Sequence, residues 1–163
     1  MKILGIDPGY DRVGIAIIEK EGKNKETLVF SECFQTSSKD SFYVRLRQVG
    51  KKIEEVIYKH SPNALAIESL FITKNQKTAM KVSEARGVII YEAVKAGLPV
   101  YEYTPLQIKV AVTGHGGSDK AQVTKMIPLL VKLTIKKALD DEYDAIAVAL
   151  SCIAHEGKSF PQK

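Results

Sequence analysis

Lys2-Ile3-Leu4-Gly5-Ile6-Asp7-Pro8-Gly9 opens the chain with an apolar run that ends abruptly on an acid and a Pro-Gly turn. Lys2 to Ile6 reads as a buried strand, because both sides of the pleat are apolar, and Asp7 falls at its C-terminal edge. An ionised carboxylate loses several kcal/mol of hydration in such a place unless it is paired or metal-bound. Ala64-Leu65-Ala66-Ile67-Glu68 repeats the arrangement: a short buried strand closed by an acid. In open α/β sheets ligands bind beyond the carboxyl ends of strands, so two acids at two such ends converge if the strands are neighbours.

Working outward, Val13 to Ile18 is a second apolar strand, Glu21-Gly22-Lys23-Asn24 a hairpin turn, and Thr27 to Phe34 a third strand antiparallel to the second. Ser41 caps a helix whose apolar positions Phe42, Leu46, Val49, Ile53, Val56 and Ile57 step by three and four, and Ser61-Pro62 ends it. A second helix spans about Lys77 to Ala96, with Gly97 at its end. Its small apolar residues Ala79, Val82, Ala85, Val88, Ile89 and Ala93 suit close packing, against the core or a second subunit. Leu98 to Tyr103 is a strand, and Thr104-Pro105 opens a short helix. Gly114 to Gly117 form a flexible break, Ser118 caps a further helix that Pro128 kinks or ends, and a last helix runs from about Asp141 to His155. A meander followed by alternating strands and helices predicts one α/β domain over residues 1–163 with a five-stranded mixed sheet.

Asp141 and Asp144 lie three apart, on one helix face that continues into Ala145, Val148 and Ala149 and therefore points inward. Both residues also suit a helix start, where acids complement the macrodipole, and Asp140 replaces Asp141 if the register slips. Four converging carboxylates repel one another unless a cation intervenes. Mg²⁺ and Mn²⁺ prefer oxygen ligands, and two such ions about 4 Å apart support in-line displacement at phosphorus.

The chain has 163 residues, 24 Lys and Arg against 19 Asp and Glu, and a formal charge of +5. That excess points mildly to an anionic partner. Hydrophobic content of 45% and charged content of 26% exclude a disordered or fibrous chain. Cys33 and Cys152 are too few and too far apart for a disulfide scaffold or a CxxC site and read as small core residues in a reduced compartment. No apolar run reaches the length of a membrane span and no signal peptide is evident, so a cytoplasmic protein is expected.

The order strand acid, strand acid, helix acid pair resembles the RNase H-like nucleases, and the motifs resemble one family of them, RuvC, the Holliday junction resolvases. Gly5-Ile6-Asp7-Pro8-Gly9 with Gly14, Ala66-Ile67-Glu68 with Phe71 and Asn75, and Glu84-Ala85-Arg86-Gly87 carry the resemblance in the first half. Tyr103-Thr104-Pro105 with Lys109, Gly114 to Gly117, Lys120-Ala121-Gln122-Val123, and Asp141 to Asp144 with Ala145 to Ala149 carry it in the second. The resemblance implies an RNase H-like fold and a crossover junction endodeoxyribonuclease of homologous recombination and DNA repair, cutting opposite strands of a four-way DNA junction. It implies Asp7, Glu68, Asp141 and Asp144 as catalytic, metal-binding residues holding two Mg²⁺ per site, with Mn²⁺ able to substitute. It also implies a homodimer working with the RuvA and RuvB branch-migration complex. Phe71 takes the place of an aromatic that stacks on a junction base. Lys74, Lys77, Lys81 and Arg86, and above all Lys109 and Lys120, are the expected DNA contacts, neutralising phosphates.

His115 in the glycine loop reads first as a solvated loop residue, with a mobile basic group of the site as the alternative. The chain departs from the family by Glu142-Tyr143 in place of Ala-Ala, which adds a carboxylate and bulk near the acids. A YqgF-type nuclease acting on RNA and a non-catalytic junction-binding protein are the alternatives. An actin-like ATPase needs a second such domain.

Overall fold

A computed structural model describes residues 1–22, 24–70, 76–133 and 139–156. Strand β1 (Lys2–Asp7) pairs antiparallel with β2 (Arg12–Glu19), and β2 with β3 (Glu26–Gln35), which completes the expected meander. On the other side of β1, β4 (Ala64–Glu68) and then β5 (Val100–Tyr103) add in parallel. The sheet has six strands, not five: β6 (Val131–Lys132) pairs with Glu26 and Thr27 at the outer edge of β3, giving the order β5-β4-β1-β2-β3-β6. Two residues carry no periodicity of their own, and only the neighbouring edge makes them a strand.

Successive side chains on each strand enter opposite cores. Leu4, Ile6, Val13, Ile15, Ile17, Leu65 and Ile67 meet Val49, Ile53, Val56 and Ile57 of α1 (Phe42–His60) and Ile89 and Ala93 of α2 (Gln76–Lys95). Ile3, Ala16, Ile18, Ala64, Ala66 and Tyr103 meet the other layer, made of α3 (Pro105–Thr113), α4 (Lys120–Leu130) and α5 (Asp140–Glu156). Ala85, Ile89 and Ala93 therefore serve this chain's own core, while Met80, Tyr91 and Val94 are the exposed apolar residues of α2.

The helix ends follow their capping chemistry. The Ser41 hydroxyl accepts from Val44 N, and Thr104 forms a reciprocal capping box with Gln107 ahead of Pro105. The cap of α4 is Asp119, whose carboxylate accepts from Gln122 N at 2.8 Å, and not the expected Ser118. Ser118 is buried instead, its hydroxyl 2.7 Å from that of Thr113. Pro128 sits inside α4, which ends two residues later at Leu130.

Helix α5 lies unusually close to the sheet. Ala145 to Ile153 are all buried, and a Cβ added to Gly5 would fall 2.7 Å from Ala149 Cβ and also strike the Ala145 carbonyl. The small residues on both surfaces let the helix backbone approach the strands, and that approach sets the position of the acids at its start. Among the described residues no helix is long and apolar enough to cross a membrane.

Candidate active site

Strands β1 and β4 run side by side with Ile6 opposite Ile67, so Asp7 and Glu68, each last in its strand, leave the sheet at the same edge. Asp7 also faces Gly14 across the β1–β2 ladder. A Cβ on Gly14 would lie 3.1 Å from Asp7 Cβ and would overlap the carbonyl of Asp141. Gly14 thus seats the first turn of α5 directly over the end of β1, and Asp141 and Asp144 descend from that turn.

The electrostatics register the convergence. The Asp7 carboxyl is pushed up to about 7, first by burial and then by the negative charges of Glu68, Asp144 and Asp141, with Lys120 opposing. Glu68 is raised as well, by burial and by Asp144, and Lys120 again opposes. Two cations answer this charge. The Arg12 guanidinium is ion-paired with Asp141, whose Oδ2 also accepts from the Cys33 thiol at 3.5 Å. Lys120 Nζ donates to Asp144 Oδ2 at 2.8 Å and lies 3.7 Å from Asp140. The Asp140 side chain is 81% exposed and that of Asp141 21%, so Asp141 is the acid turned into the cluster and Asp140 its outer neighbour.

Glu142, expected to add charge to the site, faces elsewhere. It accepts from the Ser31 hydroxyl on β3 and from Leu139 N at 3.0 Å, tying the start of α5 to the sheet. Tyr143 packs against the core. The extra carboxylate is absorbed as a cap and a strap.

A cavity of about 230 Å³ adjoins the acids. Glu68, Asp144, Lys109 and Lys120 line it together with Pro105, Ile108, Val123 and Ala147. Arg86, also expected at a phosphate, is engaged within the fold: its Nε donates to the Glu68 carbonyl at 3.2 Å and its guanidinium pairs with Glu102. Lys81 lies over the rings of Tyr10 and Phe42, at 5.5 and 5.4 Å. Phe71 and Lys74 fall outside the described residues, and of Lys77 only its place in α2 is described. His115 is exposed beside Gly117 in the loop that follows the left-handed cap at Gly114.

Sequence reasoning missed Arg12. Asp11-Arg12 has the look of a polar turn, yet Arg12 already belongs to β2, and alternation places it on the side of Gly14 and hence of α5. It also assigned Cys33 to the core, whereas the half-buried thiol lies against Asp141; Cys152 is buried as expected.

The four acids offer only oxygen donors, the chemistry hard divalent cations require, and burial together with Glu68, Asp144 and Asp141 raises the Asp7 carboxyl despite the opposing charge of Lys120. Among the described residues no three His, Cys, Asp or Glu side chains already close into a metal cage. The set fits a divalent cation in kind, on condition that the carboxylates draw together and Asp141 and Asp144 release their present partners.

Known proteins share this sequence pattern and fold over nearly the whole chain. Residues 3–152 match the family described as crossover junction endodeoxyribonuclease RuvC. A protein of that name from Thermosipho melanesiensis is 46% identical over 156 residues, covering 96% of this chain and 98% of its own length. The structure of Thermus thermophilus RuvC superposes with a TM-score of 0.89 at 32% identity, covering 98% of this chain and 97% of that one. The same protein in complex with Holliday junction substrate gives 0.90 at 31% identity, covering 98% and 96%. On a family match over residues 3–152, relatives of matching length and a superposition covering nearly the whole chain, the chain belongs to the RuvC family of crossover junction endodeoxyribonucleases.

Proposed function

We propose that the chain, acting as one nuclease domain, resolves Holliday junctions by metal-dependent hydrolysis of phosphodiesters in opposite strands. The observation that carries this reading is the convergence of Asp7 and Glu68, at the adjoining ends of β1 and β4, with Asp141 and Asp144 on the first turns of α5. Such a cluster supplies the all-oxygen donor set that a hard divalent cation takes.

Asp7, Glu68, Asp141 and Asp144 are the residues that would hold two Mg²⁺. Asp141 is favoured over Asp140 by its orientation toward Asp7. Bound there, the cations would activate the attacking water and offset charge on the scissile phosphate and the leaving oxygen. The protein's own part is to fix the carboxylates: Gly14 seats α5, Glu142 straps it to β3, and Arg86 holds the Glu68 backbone. Lys109 and Lys120 would receive the phosphate backbone, a role supported by their lining the cavity beside Glu68 and Asp144.

A four-way junction has near two-fold symmetry, which suits a homodimer with one site per subunit. The exposed Met80, Tyr91 and Val94 on α2 support that state, since among the described residues they stand outside the core. Work in the cytoplasm beside the RuvA and RuvB branch-migration complex completes the reading.

A synthetic four-way junction incubated with the protein, with and without Mg²⁺, tests it. Paired nicks on opposite strands that require Mg²⁺ and disappear in Asp7→Asn, while junction binding persists, are expected. Binding without cleavage by the unaltered chain at any Mg²⁺ concentration overturns the reading.

A further inference from the structure

Asp141 is not an unclaimed ligand. Its carboxylate carries the Arg12 guanidinium, and the backbone of Arg12 is held within reach of it. Arg12 begins β2 opposite Gln35, two residues before Gly14, and the turn that leads to it is braced on every side. Gly9 packs against the Arg12 carbonyl, the Tyr10 ring stands edge-on to Phe42, and Arg45 bonds both the Tyr10 carbonyl and the Asp11 carboxylate. Thr36 adds its hydroxyl to the Tyr10 carbonyl at 2.6 Å and its N–H to the Asp11 carbonyl at 3.0 Å. The backbone of Arg12 is fixed, then, and only its long side chain is free to move.

The two ends of the ion pair differ. The Arg12 side chain is 48% exposed and can pass into water without burying its charge, whereas Asp141 is 21% exposed and faces Asp7. Once Arg12 leaves, Asp141 needs another cation. We propose that Arg12 is a built-in counter-ion for Asp141 that a divalent metal must displace, so that this arginine sets the metal concentration at which the site assembles. It is a positioning residue, acting through Asp141. The inference rests on the reading of Asp141 as a metal ligand.

The equilibrium binding of Mn²⁺ alone to the full chain, followed by the electron paramagnetic resonance of the free ion, tests both ideas separately. Arg12→Ala and Arg12→Gln are expected to bind Mn²⁺ about two- to fivefold more tightly, the range over which part-exposed ion pairs contribute. In the Asp141→Asn background the gain is expected to vanish, because the competition runs through the Asp141 carboxylate, whereas relief of a general repulsion would persist at the other three acids. Unchanged or weaker binding by both Arg12 variants, or an equal gain in the Asp141→Asn background, overturns the counter-ion role. Asp141→Asn that binds Mn²⁺ as the unaltered chain does overturns the ligand reading, and the counter-ion role with it.

Discussion

Gly14 leaves no room for a methyl group beneath the carbonyl of Asp141. One hydrogen in place of a side chain lets a helix and a strand meet closely enough for Asp7, on the strand beside Gly14, to share charge with Asp141 and Asp144. Gly14→Ala is therefore expected to lift the first turn of α5. Overpacking of this kind costs about 1–3 kcal/mol, so the thermal midpoint should fall, and cleavage should fall further than stability because the acids separate. Thermal unfolding and junction cleavage on one preparation check this. A Gly14→Ala protein that cuts at the normal rate would show that the close approach is irrelevant to the site.

The raised carboxyl of Asp7 makes the metal-free protein sensitive to pH in a definite direction. Its proton is held to about pH 7 in the folded chain and lost near 3.8 in the unfolded one, so the folded state binds more protons between those values. The contribution of Asp7 to stability is then complete below pH 3.8 and is lost as pH rises through about 7. Glu68, also raised, acts in the same sense. In the presence of a chelator the melting temperature should decline from pH 5 to pH 8. Asp7→Asn, which mimics the protonated acid, should flatten the decline, and Mg²⁺ should recover most of the loss at pH 8 by binding the folded state alone. An identical decline in Asp7→Asn would place the titration elsewhere.

Lys120 has two measurable effects on the acids. It donates to Asp144 at 2.8 Å, and its charge pulls the proton affinities of Asp7 and Glu68 down from where burial would leave them. Lys120→Gln should shift the acid limb of the pH–rate profile to higher pH, since Asp7 would need a higher pH to ionise. It should also slow cleavage about 10- to 100-fold, the usual cost of removing a partner that orients a metal-ligating carboxylate. Rates measured from pH 5.5 to pH 9 at one Mg²⁺ concentration well below saturation, where proton and metal compete for the carboxylates, test both effects. A slower enzyme with an unmoved acid limb would leave Lys120 as a phosphate contact without influence on the carboxylates.

What the sequence makes legible here is what local chemistry dictates. Asp7 and Glu68 stand out because an acid that ends a run buried on both faces has few structural uses, and Asp141 with Asp144 because their spacing and the alanines after them define one inward face. The meander and the parallel additions follow from the same runs. What stays hidden depends on partners distant in sequence. Glu142 looks like a fourth charge on the helix start until Ser31, on the opposite side of the sheet from β4, takes it up. Asp119 displaces Ser118 as a cap because the fold buries the serine against Thr113, a choice between adjacent and equally competent residues. Arg12 looks like a turn residue until Gly14 fixes its face, and Val131–Lys132 becomes a strand only because β3 offers an edge.

Arg86 is where the expectation from sequence and the observed contacts differ most in consequence. A cation on the helix after Glu68 reads as a phosphate contact, yet its Nε reaches the Glu68 carbonyl at 3.2 Å and its far end is occupied by Glu102. A guanidinium spans these two acceptors at once, and a lysine, with one compact ammonium, cannot reproduce the fork. Arg86→Lys is therefore expected to cost about 1–3 kcal/mol of stability, as a polar pairing is left incomplete, and to slow cleavage by loosening the end of β4 that carries Glu68. Because Lys retains the charge, Arg86→Gln is needed for the complementary measurement, the dependence of junction affinity on salt. A residue already neutralised by Glu102 leaves that dependence as it was, whereas a phosphate contact lowers the slope by about one when removed. Slower cleavage with an unchanged slope would make Arg86 the residue that holds Glu68 in place. Normal cleavage with a reduced slope would return it to the DNA.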